Sequence, residues 1–263
     1  MKRYLHYAVL VLIVTAFCGV MPLAQAASAG ETSISLGAEY TSGDYGTSSS
    51  TNIWYFPVTL RYDTDRYMMA LTVPYVFLEG NGNVVASGGG HGMPRPSSRP
   101  STQGTQTDSG LGDIELVASH VIAQSDGWRV NLGGYIKFGT ADENLGTGEN
   151  DYAVQLAADR TYGNSTLYGT AGYKVLGDMP GIDYDNVFYG SVGVSHRLDS
   201  TRAAGLELFV EQAPLAGIDG RSELTLFLSS KLEAKTRLMG YLIAGFADGS
   251  PDWGLGLTLK ISQ

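Results

Sequence analysis

Apolar and polar residues alternate with a period of two in segment after segment of this chain, up to its last residues. In the final stretch Trp253, Leu255, Leu257, Leu259 and Ile261 alternate with Asp252, Gly254, Gly256, Thr258, Lys260 and Ser262. Successive side chains of a strand point to opposite faces, so the pattern is a strand with one greasy and one polar side. The same reading predicts strands over 32–41, 52–62, 66–77, 112–121, 128–138 and 151–161. Six more follow over 165–175, 186–198, 203–211, 222–232, 235–246 and 252–262. No helical period intervenes.

Most of these strands are long enough to cross hydrocarbon when tilted. They predict an all-β chain, a twelve-stranded antiparallel transmembrane β-barrel. Connection lengths agree with this. Brief turns follow the even strands, at Asp63-Thr64-Asp65, Ile122–Gly127, Tyr162-Gly163-Asn164, Asp199-Ser200-Thr201 and Glu233-Ala234. Longer connections follow the odd strands, the longest being Leu78–Gly110, rich in glycine and proline. Outer-membrane barrels keep short turns in the periplasm and long loops outside. A loop as long as 78–110 is expected to act either as an inward constriction or as an external flap.

The phase of the apolar set assigns the faces. Leu36, Val58, Leu60, Leu71, Leu116, Leu132, Leu206 and Leu208 point outward, toward lipid. A charge at the bilayer midplane costs roughly 2–4 kcal/mol. Only Arg160, His120 and His196 break the outward pattern, all near periplasmic strand ends where such side chains reach the headgroups. Tyr40, Trp54, Tyr62, Tyr67, Trp128, Tyr152, Tyr162 and Trp253 fall near strand ends, the place of an aromatic girdle. Pro57 and Pro74 sit inside strands two and three. A closed barrel has no free edge for a missing N–H, so bulges are expected there.

Composition narrows the setting. Lys2-Arg3, an apolar run from Ala8 to Val20, Pro22 and Ala24-Gln25-Ala26 form a secretory signal over residues 1–26. The barrel is expected over 27–263. The single cysteine, Cys18, lies in that leader, and Phe17 before it is too bulky for a lipidation site. Losing Lys2 and Arg3 deepens the formal charge from −9 to −11, which argues against nucleic acid as a partner. The expected partners are outer-membrane lipid and a small-molecule solute. The expected location is the outer membrane of a Gram-negative bacterium, with the barrel acting as a monomer.

Several turn and loop motifs resemble one family. They are Phe56-Pro57 to Arg61-Tyr62-Asp63, Asp65-Arg66-Tyr67, Val73-Pro74-Tyr75, Gly110-Leu111-Gly112-Asp113, and residues 137–156 ahead of Gly172-Tyr173-Lys174. Together they resemble the outer-membrane transporter family named for the MetA-pathway of phenol degradation. The resemblance implies a barrel passing small organic compounds, with aromatic ones among the candidates. It also implies that the two prolines belong to the architecture.

Catalytic, cofactor and metal sites are expected to be none. Gly146-Thr147-Gly148 lacks a helix to receive phosphate, and Asp142, Glu143, Glu149 and Asp151 read as solvated loop charge. A lipid-hydrolysing barrel needs a serine and a histidine in contact. Ser119-His120 and Ser195-His196 are sequence neighbours on strands, so each pair points to opposite faces.

The polar face carries the charges expected to line the lumen. Glu39, Asp113, Glu115, Glu211, Glu223 and Asp252 lie toward the external end. Arg61, Arg129, Lys231, Lys235, Arg237 and Lys260 lie toward the periplasmic end, while Lys137, Lys174 and Asp159 run against the trend and Glu207 shares the face. Asp113 and Lys137 look paired, but Glu211 and Glu223 flank a single loop, which suggests screening by water and a preference for cations or neutral solutes. Twelve strands leave a narrow, partly wet interior. The expected function is an outer-membrane channel for small organic solutes by facilitated diffusion, not an enzyme. The alternatives are a structural or adhesin-like barrel with a plugged lumen, and a barrel lipid hydrolase.

Overall fold

A computed structural model describes residues 30–46, 49–81, 105–142, 145–216 and 219–263. The leader read over 1–26 lies outside them, as does the 82–104 part of the long connection. The strands are β1 (Glu31–Gly43), β2 (Thr51–Asp63), β3 (Tyr67–Asn81), β4 (Thr105–Leu111), β5 (Ile114–Ser125), β6 (Trp128–Phe138) and β7 (Asp151–Tyr162). They continue as β8 (Ser165–Val175), β9 (Val187–Arg197), β10 (Arg202–Glu211), β11 (Arg221–Glu233), β12 (Thr236–Gly245) and β13 (Trp253–Ser262). Every pairing is antiparallel. Because β4 and β5 both pair with β3 and run on from one another, the thirteen segments form twelve staves. The β1–β13 ladder, from Ser33↔Ser262 to Ser42↔Trp253, closes the cylinder.

Closure leaves the apolar face no partner but lipid. Leu60, Leu71, Leu226, Leu242 and Leu257 all stand exposed on the outside, at 41–59 % of full accessibility. A soluble two-sheet sandwich would bury this face, and here it is on the surface. At the external rim Tyr40 packs against Trp54 and Trp253, with ring centroids 4.9 and 5.3 Å apart. At the periplasmic rim the Arg160 guanidinium lies over the Trp128 and Tyr162 rings, 5.4 and 4.5 Å from their centroids. His120 stacks on Tyr67 at 4.5 Å. The polar groups on the lipid face thus sit within the interfacial aromatics, where their charge or dipole meets headgroups. Leu226→Arg, placed mid-strand, is expected to destabilise the barrel by roughly 2–4 kcal/mol. Thr225→Arg faces inward opposite Glu207 and should cost far less. Urea unfolding in lipid vesicles checks both, and equal losses would mean the facing is wrong.

The periplasmic turns are tight for local reasons. Asp126 and Gly127 both have positive φ, 51° and 80°, the primed turn whose twist matches its flanking strands. β5 therefore runs to Ser125 with a bulge at Ile122, so this turn is shorter than the Ile122–Gly127 loop read from sequence. Asp199 accepts hydrogen bonds from Thr201 N, Thr201 Oγ1 and Arg202 N, each at 2.8 Å. These donors, with the Arg202 guanidinium, hold its carboxyl well below the usual carboxylate range.

The two prolines behave differently from one another. At Pro57 there is no bulge: β2 keeps one register with β1 on either side of it and with β3, where Pro57 faces Pro74. The ladder to β1 only lapses at Gly37, where a Cβ would lie 2.7 Å from the Pro57 ring. Opposite Pro74 the irregularity falls in the neighbouring stave. Thr72 pairs with Glu115 and Tyr75 with Leu111, so Gly112, Asp113 and Ile114 oppose only Val73 and Pro74. Gly112 N donates to Pro74 O at 2.9 Å. The extra residue turns Asp113 inward beside Glu115, both almost fully buried.

Candidate functional site: the lumen

Four levels of side chains fill the lumen from the external end down. The first is a cap. Tyr45 and Leu145, from two external loops, pack with Ala141 onto Ile53, Tyr55, Val76 and Leu78 of β2 and β3. The loop after β6 is latched to the β4–β5 bulge. Thr140 N and Ala141 N donate to Asp113 Oδ1 at 3.0 and 2.9 Å. Leu111 N donates to Asp142 Oδ2 at 2.8 Å, and Asp142 N to Leu111 O at 2.9 Å. A Cβ on Gly110 would overlap the Asp142 carboxylate, so this approach needs glycine.

Beneath the cap lies a buried ion network. Lys137 Nζ is 2.9 Å from Asp151 and 3.3 Å from Asp113. Lys174 Nζ is 2.6 Å from Glu211, and Arg221 lies 2.8 Å from Glu223 and 3.7 Å from Glu211. Arg221 also sits over the Phe209 ring at 5.0 Å. This corrects two expectations. Glu211 and Glu223 are not a water-screened like-charge pair, because Arg221, read from sequence as a loop residue, stands between them. Among the described residues the three cations Lys137, Lys174 and Arg221 remain outnumbered by carboxylates, with Glu115 buried beside Asp113, so the external half keeps an acidic excess. Asp142 and Asp151, read as solvated loop charge, are likewise tied down by Leu111 and Lys137. Desolvating each ion costs several kcal/mol, and only multiple partners at such distances offset it.

The third level is aromatic. Val117, Tyr135, Ala153, Tyr189 and Phe209 form one buried cluster on the inner wall, with Met68 against it. Four rings here lie over glycines that are their direct cross-strand partners: Tyr168 on Gly193, Tyr189 on Gly172, Phe227 on Gly205, and Tyr241 on Gly256. A Cβ at any of these glycines would overlap the ring. The rings thus lie along the wall, and the hydroxyls of Tyr189 and Tyr241 bridge to the next stave. Tyr189 donates to Gln155 Oε1 at 2.8 Å and Tyr241 to Glu39 Oε2 at 2.7 Å.

The fourth level, at the periplasmic end, is more open. Arg61 pairs with Asp63 at 2.6 Å and is 40 % exposed, and Arg129 reaches the Asp65 carbonyl at 3.1 Å. Asp159 is the cross-strand partner of Arg129. Lys231, Arg237 and Lys260 occupy the same end of β11–β13. Of the residues read from sequence, Asp113 and Lys137 are thus drawn into one buried ion cluster with Asp151, and Lys174, Glu211 and Glu223 into another around Arg221. Glu115 joins them in burial, Glu39 and Glu207 sit at the aromatic level, Asp252 stays at the external rim, and the others lie apart at the periplasmic mouth. Tyr135, Tyr189, Phe209 and Tyr241 were not singled out from the sequence, although the inward phase of their strands already included them, while Arg221 fell one residue outside the strand expected over 222–232.

One serine–histidine contact does exist, between strands rather than within one. Ser165 Oγ lies 2.8 Å from His196 Nδ1 across β8 and β9. It faces outward at the periplasmic rim, and among the described residues no carboxylate orients the imidazole. A nucleophile needs that third group to hold its base.

No protein-family profile matches the chain, and no curated protein sequence does. Solved structures do match in fold. The chain is similar to the COG4313 outer membrane channel from Pseudomonas putida F1, at 15 % identity and a TM-score of 0.63. That match covers 93 % of this chain and 100 % of the other. It is also similar to the NanC porin, at 12 % identity and a TM-score of 0.53 over 87 % of this chain and 98 % of the porin. The KdgM porin, solved with oligogalacturonate, matches at 11 % identity and a TM-score of 0.51 over 87 % and 99 %. At these identities the likeness is one of fold: a closed twelve-stranded barrel of the kind that spans the outer membrane of Gram-negative bacteria.

Proposed function

We propose that this barrel is an outer-membrane channel that passes small organic solutes, aromatic ones included, by facilitated diffusion. The observation that carries the reading is the graded lumen, a latched cap and ion network above an aromatic level that opens into a charged vestibule. Rings held flat offer a solute π-faces without blocking the bore. The resemblance of its turn motifs to the phenol-degradation transporters supports aromatic solutes, and the fold likeness to channels and porins supports passage itself.

Liposome swelling with sugars, amino acids and phenolic acids tests the proposal. Phenolic acids are expected to enter faster than sugars of similar size. The filled external half favours a second reading, a structural barrel with a permanently plugged lumen. No swelling with any solute, in the wild-type protein and with the loop latch removed, would establish that reading instead.

A further inference from the structure

Lys231, Arg237 and Lys260 stand side by side on β11, β12 and β13. Lys231 is the direct cross-strand partner of Arg237, and Arg237 that of Lys260. All three share the inner face with Ser229, Tyr241 and Gly256, so they point into the lumen and not at acyl chains. Like charges directly opposite in a ladder repel one another. The relief available within the chain is slight. Arg237 Nη1 donates to Ser229 Oγ at 3.1 Å. Lys260 Nζ is 3.7 Å from Glu31, which already takes a 2.7 Å hydrogen bond from Ser262. Among the described residues Lys231 and Lys235 have no ion-pair partner. This contrasts with the external half, where Lys137, Lys174 and Arg221 each meet a carboxylate.

These cations border a hollow of about 300 Å³ at the periplasmic mouth, lined also by Lys235, Ser262, Gln263 and one carboxylate, that of Glu31. That volume is at the small end of ligand sites, which span roughly 300–1,000 Å³. We propose that the hollow is a binding site for a small anion, one carboxylate or phosphate group held by the Arg237 guanidinium with Lys231 and Lys260 on either side. The planar fork of arginine suits a two-oxygen anion, and the flanking ammonium groups supply point charges. Occupation by an anion removes the repulsion along the three staves. The proposal rests on the lumen being the solute's path, and it narrows the solute to one bearing negative charge.

The test is isothermal titration calorimetry on the full folded barrel in a neutral detergent, with benzoate, inorganic phosphate and benzylammonium as probes. Benzoate and phosphate are expected to bind and benzylammonium not to. The K231Q/R237Q/K260Q variant should lose anion affinity by about tenfold or more, and R237K by less. Heat-modifiable migration on gels confirms that each variant is folded. Equal binding of benzylammonium, no anion binding to the wild type, or unchanged affinity in the triple variant would overturn the site. Swelling with neutral sugars is independent of these cations. Sugar uptake without anion binding would therefore sink this site and leave the channel standing.

Discussion

Lys137→Met is expected to destabilise the folded barrel by about 3–5 kcal/mol, the loss typical of removing one partner from a buried charge cluster. Lys137 is the cation between Asp113 and Asp151, and Glu115 is its direct cross-strand neighbour. Without it three buried carboxyl groups face one another with no counter-charge on β6. Urea unfolding in lipid vesicles, followed by tryptophan fluorescence, measures the loss. Replacing the cluster together, as D113N/K137M/D151N, should recover much of it, because the penalty comes from the stranded charges. A single-variant loss below about 1 kcal/mol would mean that water screens the site and that the network is not dry.

Asp113→Ala is expected to open the external end. Its carboxylate holds the loop after β6 through the amides of Thr140 and Ala141, and Leu145 of that loop fills the cap. Hydrogen bonds to a charged group contribute roughly 1.5–3 kcal/mol each. Losing two shifts a closed-to-open equilibrium by about 3 kcal/mol or more, on the order of a hundredfold. Single-channel recording across a planar bilayer should show rare openings for the wild type and frequent ones for the variant. Asp113→Asn keeps an acceptor and should fall between them. Unchanged open probability would remove this loop as the gate.

Most of the wall was readable from sequence because lipid imposes a rule on each outward position. Leu226, Leu242 and Leu257 had to be apolar, and the period of two carried the rest. The rule fails where lipid is absent. β4, Thr-Gln-Thr-Asp-Ser-Gly-Leu, has no greasy face and pairs with the Tyr75–Asn81 end of β3. It lacked the alternating signal, so paired strand at both ends of the 78–110 segment read as loop.

The lumen was less legible for a different reason. Inward phase placed Lys174 and Glu211 on the polar face, but they belong to β8 and β10 and meet across the intervening β9. Only the stagger between staves brings such residues together, and a single sequence does not state it. The bulge that aims Asp113 was half legible. Pro74 marked the place, but the extra residue went into the partner stave, which has the glycines to accommodate it.

The β1–β13 ladder has a consequence for biogenesis. Ser33 meets Ser262, so the seam joins the two extremes of the described chain. Bringing ends together over roughly 230 residues costs about 5 kcal/mol of entropy before any seam hydrogen bond forms. Shutting the cylinder is therefore the last event. Until the thirteenth segment pairs, the ribbon carries two open edges of unpaired N–H and C=O groups, a template for pairing with another chain.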